Sequence, residues 1–265
     1  MRLLRVLTVA ILLPLAPVCV SGALAQKASG SVTKAPAQAV DPKALALIKA
    51  MSDKLAAAQS LSFTAHRAFD VPAANGQPLL YMVVSNVVLQ RPDKLKVIVP
   101  GDGPPSEFYY DGKTMMVLFP DKKLVAVAEA PPVLDDMFEA AIKKAGLYFP
   151  FVDLLASDPY KEITEGLQSA FVIGQSMAVG DTTTDVVALA NKNVQAQIWI
   201  GTTDKLPRLV WLTPTELAGK PRSIMEFSNW KLGVQTTAAD FTSADAASAH
   251  KIEMAPPTNA APSKP

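Results

Sequence analysis

The sequence predicts an α+β fold, an antiparallel sheet of short strands with amphipathic helices set against it. Three observations carry this expectation. Short β-rich runs are joined by turn dipeptides, two segments repeat apolar residues at helical spacing, and several strands are apolar on both faces. Short connectors favour antiparallel neighbours, because parallel strands need long crossovers.

The chain opens with a basic start, Met1 to Arg5, and a mostly apolar run, Val6 to Val20, broken by Pro14 and Pro17. Ala23-Leu24-Ala25 follows, the small-x-small pattern of a signal peptidase site, so cleavage is expected before Gln26. The run is too short and too interrupted for a membrane span. Cys19, the single cysteine, lies inside this signal. Pro17 and Val18 ahead of it fit a lipobox badly, so no transmembrane or lipid anchor is expected in the mature chain, and the periplasm is the expected compartment.

Removing Arg2 and Arg5 takes 25 basic residues to 23 against 24 acidic ones, a net charge of −1. A near-neutral chain has no electrostatic footprint for nucleic acid. With 49% hydrophobic and 18% charged residues, the chain supports a large core, and without a mature cysteine that core has no disulfide to help it.

Residues 26–40 read as a flexible leader of Ala, Ser, Lys and Pro. Asp41-Pro42 then matches a helix N-cap followed by proline in the first turn. Ala44, Leu45, Ile48, Met51, Leu55 and Ala58 form one apolar stripe behind it. Strand-like runs follow at 61–70, 79–90, 94–99, 107–110, 114–119 and 123–128. Asn75-Gly76 and Asp111-Gly112 favour two-residue hairpins, and Pro120-Asp121 marks another turn. Pro131-Pro132 stops the strands. Val133 to Ala145 is the best helix in the chain, with Asp135, Asp136 and Glu139 near its start, Lys143 and Lys144 near its end, and Gly146 as cap. A short helix over 151–156 is expected to end near Asp158-Pro159.

Strand texture resumes at 170–175, 185–190, 194–200, 208–213 and 222–229, and residues 243–265 read as an Ala/Pro-rich disordered tail. A sheet with one wet face alternates apolar and polar residues. Tyr81 to Val84, Thr114 to Phe119 and Asp185 to Ala190 do not, so both faces must be covered, by helices, by curvature, or by a ligand or partner.

Catalytic chemistry is thinly represented. The mature chain has no cysteine and two histidines, His66 and His250, which disfavours zinc and any other metal or cofactor. Gly174-Gln175-Ser176-Met177-Ala178 resembles a nucleophile elbow, but turn residues rather than a helix follow it. Asp135 with Asp136, and Asp153 with Asp158, fit helix-start and capping roles. Gly101-Asp102-Gly103-Pro104-Pro105 lacks the third glycine and the helix of a phosphate loop. The reading is therefore non-enzymatic.

A set of motifs gives the chain a family likeness. These are the Asp41-Pro42 helix, Arg91-Pro92-Asp93, Phe108-Tyr109-Tyr110-Asp111-Gly112-Lys113-Thr114, Ser157-Asp158-Pro159-Tyr160, Gln197-Ile198-Trp199-Ile200 and Leu206-Pro207-Arg208. Together with the signal peptide they resemble the predicted periplasmic proteins grouped as a domain of unknown function (number 2092). The resemblance runs from Asp41 to Phe241 and makes 41–242 one domain. It implies the lipoprotein-carrier fold of the LolA and LolB type, a curved, unclosed antiparallel half-barrel whose concave face is covered by helices and holds acyl chains.

Methionines and aromatics suit such a cavity, because flexible sulfur-bearing chains adapt to varied apolar partners. The candidate lining is Phe63, Met82, Val84, Met115, Val117, Trp199, Trp211, Met225 and Phe227 from the strands. Met137 and Phe138 join them from helix 133–145, the expected lid; Arg67 is the one strand cation that could face an acyl headgroup or carboxylate, although surface exposure is the favoured expectation for it. The expected function is binding of an acyl chain, lipid or lipoprotein lipid, as a carrier. The alternative is an envelope protein-interaction or sensor module using the same groove or a sheet edge, since the implied fold also serves as a sensor domain in envelope-stress regulators.

Overall fold

A computed structural model describes residues 40–101, 105–216 and 220–255. The expected signal peptide, its cleavage site, Cys19, nearly all of the leader, Asp102-Gly103-Pro104 and residues 256–265 lie outside the described residues.

The domain opens with α1 (Pro42–Ala57). Its Asp41 carboxylate accepts a hydrogen bond from the Lys43 N–H at 2.8 Å, and Pro42 occupies the first turn. Six strands follow as a meander: β1 (Ser60–Pro72), β2 (Pro78–Gln90), β3 (Lys94–Val99), β4 (Ser106–Tyr110), β5 (Thr114–Phe119) and β6 (Leu124–Glu129). Three helices come next, α2 (Leu134–Ala145), α3 (Val152–Leu155) and α4 (Pro159–Thr164). A second meander holds β7 (Ser169–Ser176), β8 (Thr184–Ala190), β9 (Val194–Gly201), β10 (Pro207–Pro214) and β11 (Ser223–Leu232), and β12 (His250–Ile252) closes the fold.

All twelve strands form one sheet in the order β12-β6-β5-β4-β3-β2-β1-β11-β10-β9-β8-β7. The last long strand, β11, returns to pair with the first, β1, and fuses the two meanders. The pairings are antiparallel except β12 with β6, which is parallel. The end strands β12 and β7 do not meet, so the sheet is an unclosed half-barrel with helices on its concave face. This is the expected fold class.

The turns are looser than the dipeptides predict. Five residues, 73–77, join β1 to β2, closed by the Ala73 N–H donating to the Gln77 carbonyl. Three residues join β4 to β5, because the Asp111 carboxylate accepts from the N–H groups of Lys113 and Thr114 at 2.9 and 2.7 Å. This Asx turn supplements a longer backbone bond, the Asp111 N–H donating to the Thr114 carbonyl at 3.3 Å.

Two elements depart from expectation for local reasons. Asp158-Pro159 starts a helix rather than ending one, since the Asp158 carboxylate accepts from the Lys161 N–H at 3.0 Å. It repeats the Asp41-Pro42 arrangement. The span 243–265 is not structureless throughout. A 3₁₀ turn at Ala244–Ala247 and strand β12 occupy it, and β12 pairs with the otherwise open edge of β6.

One core lies on the helix-bearing face. Phe63, Ala65, Val87, Leu89, Tyr110, Met115 and Phe227 pack there against Ile48, Met51 and Leu55 of α1, Met137 and Phe138 of α2, and Leu154 and Leu155 of α3. On the opposite face of the first meander Tyr109, Leu118 and Val125 are also buried. The C-terminal segment accounts for that cover. Its 3₁₀ turn Ala238–Phe241 packs on β3 with Phe241 buried. The apolar outer face of β4 and β5 is thus covered in part by the C-terminal segment, whereas Tyr81 and Met82 of β2 stay exposed.

Candidate functional site

Two adjoining cavities open on the helix-bearing face, of about 200 and 410 Å³. The smaller lies over β1 to β5, with Ala65, Val83, Val97, Val99 and Val117 in its lining. The larger lies over β8 to β11 and under α3 and α4, with Leu189, Ala196, Ile198, Val210 and Leu212 as its sheet wall. Arg67, Tyr148, Pro150, Phe151 and Met225 border both. The larger one reaches the volume range of small-molecule sites, and the smaller extends it.

The segment between them is the connector Leu147–Phe151, which leaves α2 through Gly146. That glycine adopts φ 62° and donates its N–H to the Ile142 carbonyl, a left-handed cap that turns the chain back over the sheet. Phe149 and Phe151 anchor the connector in an aromatic chain. Phe149 meets Phe108 at 4.9 Å and Phe138 at 5.9 Å between ring centroids, while Phe151 meets Phe63 edge-on at 5.4 Å. Phe63 in turn contacts Phe227 and Trp230. Edge-on pairs of this kind add to the stabilisation from burial. Tyr148 points the other way and is 60% exposed.

Arg67 and Tyr148 stand where the cavities join, and the acidic groups Asp153 and Glu162 line the larger one alone. Arg67 is half-buried, its Nε donating to the Ser223 hydroxyl at 3.0 Å and its guanidinium lying 4.2 Å from the centre of the Phe69 ring. Burial lowers its pKa, and Tyr148 opposes that shift. Asp153 stands on the α3 side of the larger cavity. It is open to solvent, yet the surrounding walls strip part of its hydration and push its carboxyl above the ordinary value of 3.8. Glu162 is raised too, by lost hydration and then by Asp153. Behind the connector, Arg91 donates to the Ala156 carbonyl at 3.0 Å, and Asp135 accepts from Ser157, so the β2–β3 turn and α2 are both tied to the end of α3.

Of the eleven candidate lining residues, Val117, Met225 and Phe227 line the cavities. Phe63, Met115, Met137 and Phe138 are buried in the core beneath. Met82, Val84, Trp199 and Trp211 stand on the opposite face. The register explains all four. Phe63 is opposite Val87 and Arg67 opposite Val83, so odd-numbered residues of β2 share the cavity face, and Met82 and Val84 point away. On β9 and β10 the cavity takes Ala196, Ile198, Val210 and Leu212, which turns Trp199 and Trp211 outward.

The tryptophan that does pack against the core is Trp230. A bulge brings it there. Between Ser62 and Thr64 the pairing of β1 with β11 slips, Asn229 takes φ 55°, and the parity of β11 reverses, so that Met225, Phe227, Trp230 and Leu232 all reach one face. The expected lid helix α2 does not line either cavity; the connector after it does. Leu147-Tyr148-Phe149-Pro150-Phe151, an aromatic run after a glycine cap, is the signal that would have found it.

Other groups singled out in the sequence lie apart. His66 is exposed on the opposite face, between Val84 and Glu226. Ser176 ends β7 in a strand-to-strand turn, its hydroxyl accepting from the Ala178 N–H. Among the described residues no group of three His, Cys, Asp or Glu side chains is arranged to hold a metal, and no helix is long and apolar enough to cross a membrane.

Fold and site define an α+β half-barrel protein with an apolar cavity beneath an aromatic connector. The chain belongs to the family of predicted periplasmic proteins DUF2092, whose profile matches residues 44–255. None of the curated proteins searched matches it. Among solved structures it is similar to LprF from Mycobacterium bovis, at 14% identity over 77% of this chain and 100% of that one, with a TM-score of 0.45. MucB gives 13% identity over 77% of this chain and a TM-score of 0.41, and the match spans 63% of the MucB chain. The LolA superfamily protein NE2245 from Nitrosomonas europaea gives 12% identity over 74% and 97%, with a TM-score of 0.35.

Proposed function

We propose that this protein binds an acyl-type ligand, a lipid or the lipid of a lipoprotein, in the paired cavities, and acts as a periplasmic carrier rather than an enzyme. The observation that supports it most is the sheet wall of aliphatic side chains facing a cavity that opens to solvent beside Tyr148. Covering that wall with a ligand removes apolar area from water, worth about 25 cal/mol per Å² before association costs. The connector Leu147–Phe151 is the natural gate, since it separates the two cavities and is held by aromatic contacts rather than by strand pairing. Organic extraction and mass spectrometry of protein purified from its own periplasm test this reading. Co-purified lipid is expected; its consistent absence, with no binding of a fluorescent fatty acid, would overturn it.

One observation favours a second reading, a docking module for an extended segment of another envelope protein. β3 pairs with Asn86–Gln90 of β2, so Pro78–Ser85 have no partner on that side among the described residues, and Leu80 on this stretch is 66% exposed. Capture of a stoichiometric protein partner without lipid would select it.

A further inference from the structure

Arg67 is the one described arginine or lysine that borders both cavities, and it has no carboxylate within ion-pair distance among the described residues. Its charge is held in place on one side only. The Nε is spent on Ser223 and the guanidinium face rests on Phe69, which leaves the Nη donors for the cavity. Tyr148 borders the same junction, and the buried Ser223 lines the larger cavity. A cation in a partly dehydrated apolar site, already oriented by a hydrogen bond and a ring, is a prepared partner for an acid group.

The carboxylates nearby do not fill that place. Glu107, beside the smaller cavity, accepts from the Tyr109 hydroxyl at 2.7 Å on the other side of β4. Asp153 and Glu162 occupy the α3–α4 wall of the larger cavity and make no ion pair with Arg67. An acidic head is repelled by that wall and drawn to the junction. From there an acyl tail has aliphatic surface in either direction, along Val83 and Val97 or along Ile198 and Val210.

We infer that the ligand is an anionic amphiphile, a single carboxylate or phosphate head held by Arg67 at the cavity junction with its acyl tail along the sheet. The inference rests on the acyl-ligand reading of the same cavity and adds the charge of the head. It is tested by titrating the full mature chain with palmitate, hexadecyl phosphate, hexadecanol and inorganic phosphate. Palmitate or hexadecyl phosphate is expected to bind about tenfold more tightly than hexadecanol, the worth of one charge-assisted contact, and the tighter of the two identifies the acid. Arg67→Met, which keeps an unbranched apolar stem, is expected to bring the acids down to the level of hexadecanol.

Equal binding of palmitate, hexadecyl phosphate and hexadecanol would overturn the acid site and leave the acyl cavity standing. Inorganic phosphate binding as tightly as hexadecyl phosphate would overturn it as well, by showing a free-anion site. Failure of all the long-chain probes would overturn both the inference and the carrier reading. Should Arg67→Met fail to fold, the comparison of acids with alcohol on the unaltered chain still decides.

Discussion

At the residue scale, the β4–β5 turn depends on Gly112. Its φ of 89° is one an L side chain rarely adopts, and an added Cβ would collide with the Asp93 carboxylate. Gly112→Ala is expected to destabilise the protein by about 1–3 kcal/mol, read from urea denaturation. Asp153 has the opposite character. Folding raises its carboxyl, so the folded state holds that proton more tightly than the unfolded chain does, and stability falls as pH rises from 3.8 through the folded value. Asp153→Asn removes the loss, so the variant is expected to unfold at a higher urea midpoint near neutral pH and to show no advantage below 3.8. Neither effect was legible beforehand. Asp111-Gly112 announces a turn, but the neighbour that punishes a Cβ is Asp93 in the β2–β3 turn, and the dehydration of Asp153 comes from a cavity that the second meander builds with α3 and α4.

At the element scale, the strands were legible and the faces were not. β3 and β5 coincide with their apolar runs because β-branched and aromatic residues bounded by turn chemistry leave little choice of period. Which side of a two-faced strand meets the cavity is set by register, and where both sides are apolar the pattern that fixes parity is missing. Met82, Val84, Trp199 and Trp211 fell on the wrong side for this reason. β11 adds a reversal invisible in spacing, since Asn229 shifts Trp230 onto the core face. Deleting Asn229 would restore simple alternation and swing Trp230 and Leu232 away from the core, so the shortened chain is expected to lose folded structure by near-ultraviolet circular dichroism. Asn229→Gly keeps the bulge and suits φ 55°, and is expected to fold like the parent.

At the scale of the whole molecule, the sheet is finished by segments far apart in sequence. Burial first, and then the hydrogen bond to Glu107, raise the Tyr109 phenol to about 12, and burial raises Tyr110 likewise to about 12. The folded state keeps these protons while the unfolded chain loses them, so stability is expected to fall as pH rises from 10.0 to about 12. The two environments differ in origin. Tyr110 faces the main core, whereas Tyr109 lies on the face covered by the C-terminal segment. Removing the chain after Thr236 rehydrates Tyr109 but leaves Glu107 beside it, so its ionisation is expected to fall below 12 without returning to 10.0, while that of Tyr110 stays near 12 in a spectrophotometric titration. The half-barrel itself was legible from meanders, helices and family motifs together. The closing role of the C-terminal segment was not, because its Ala- and Ser-rich composition carries no strand signal and β12 is held by backbone pairing to β6.

Each end of the described fold guards an opposite edge of the sheet. β12 lies along β6, while Val40 bridges to Ala170 of β7 and the Asp41 N–H donates to the Ala170 carbonyl at 2.8 Å. For anyone labelling this protein, positions beside Val40 and Ile252 are therefore the wrong places to attach anything tightly. A fluorophore placed there would pry at the strands that hold the sheet's margins. The five-residue tip 73–77 between β1 and β2 borders neither cavity and neither margin, and is the site from which a reporter could test the proposed ligand binding without disturbing either.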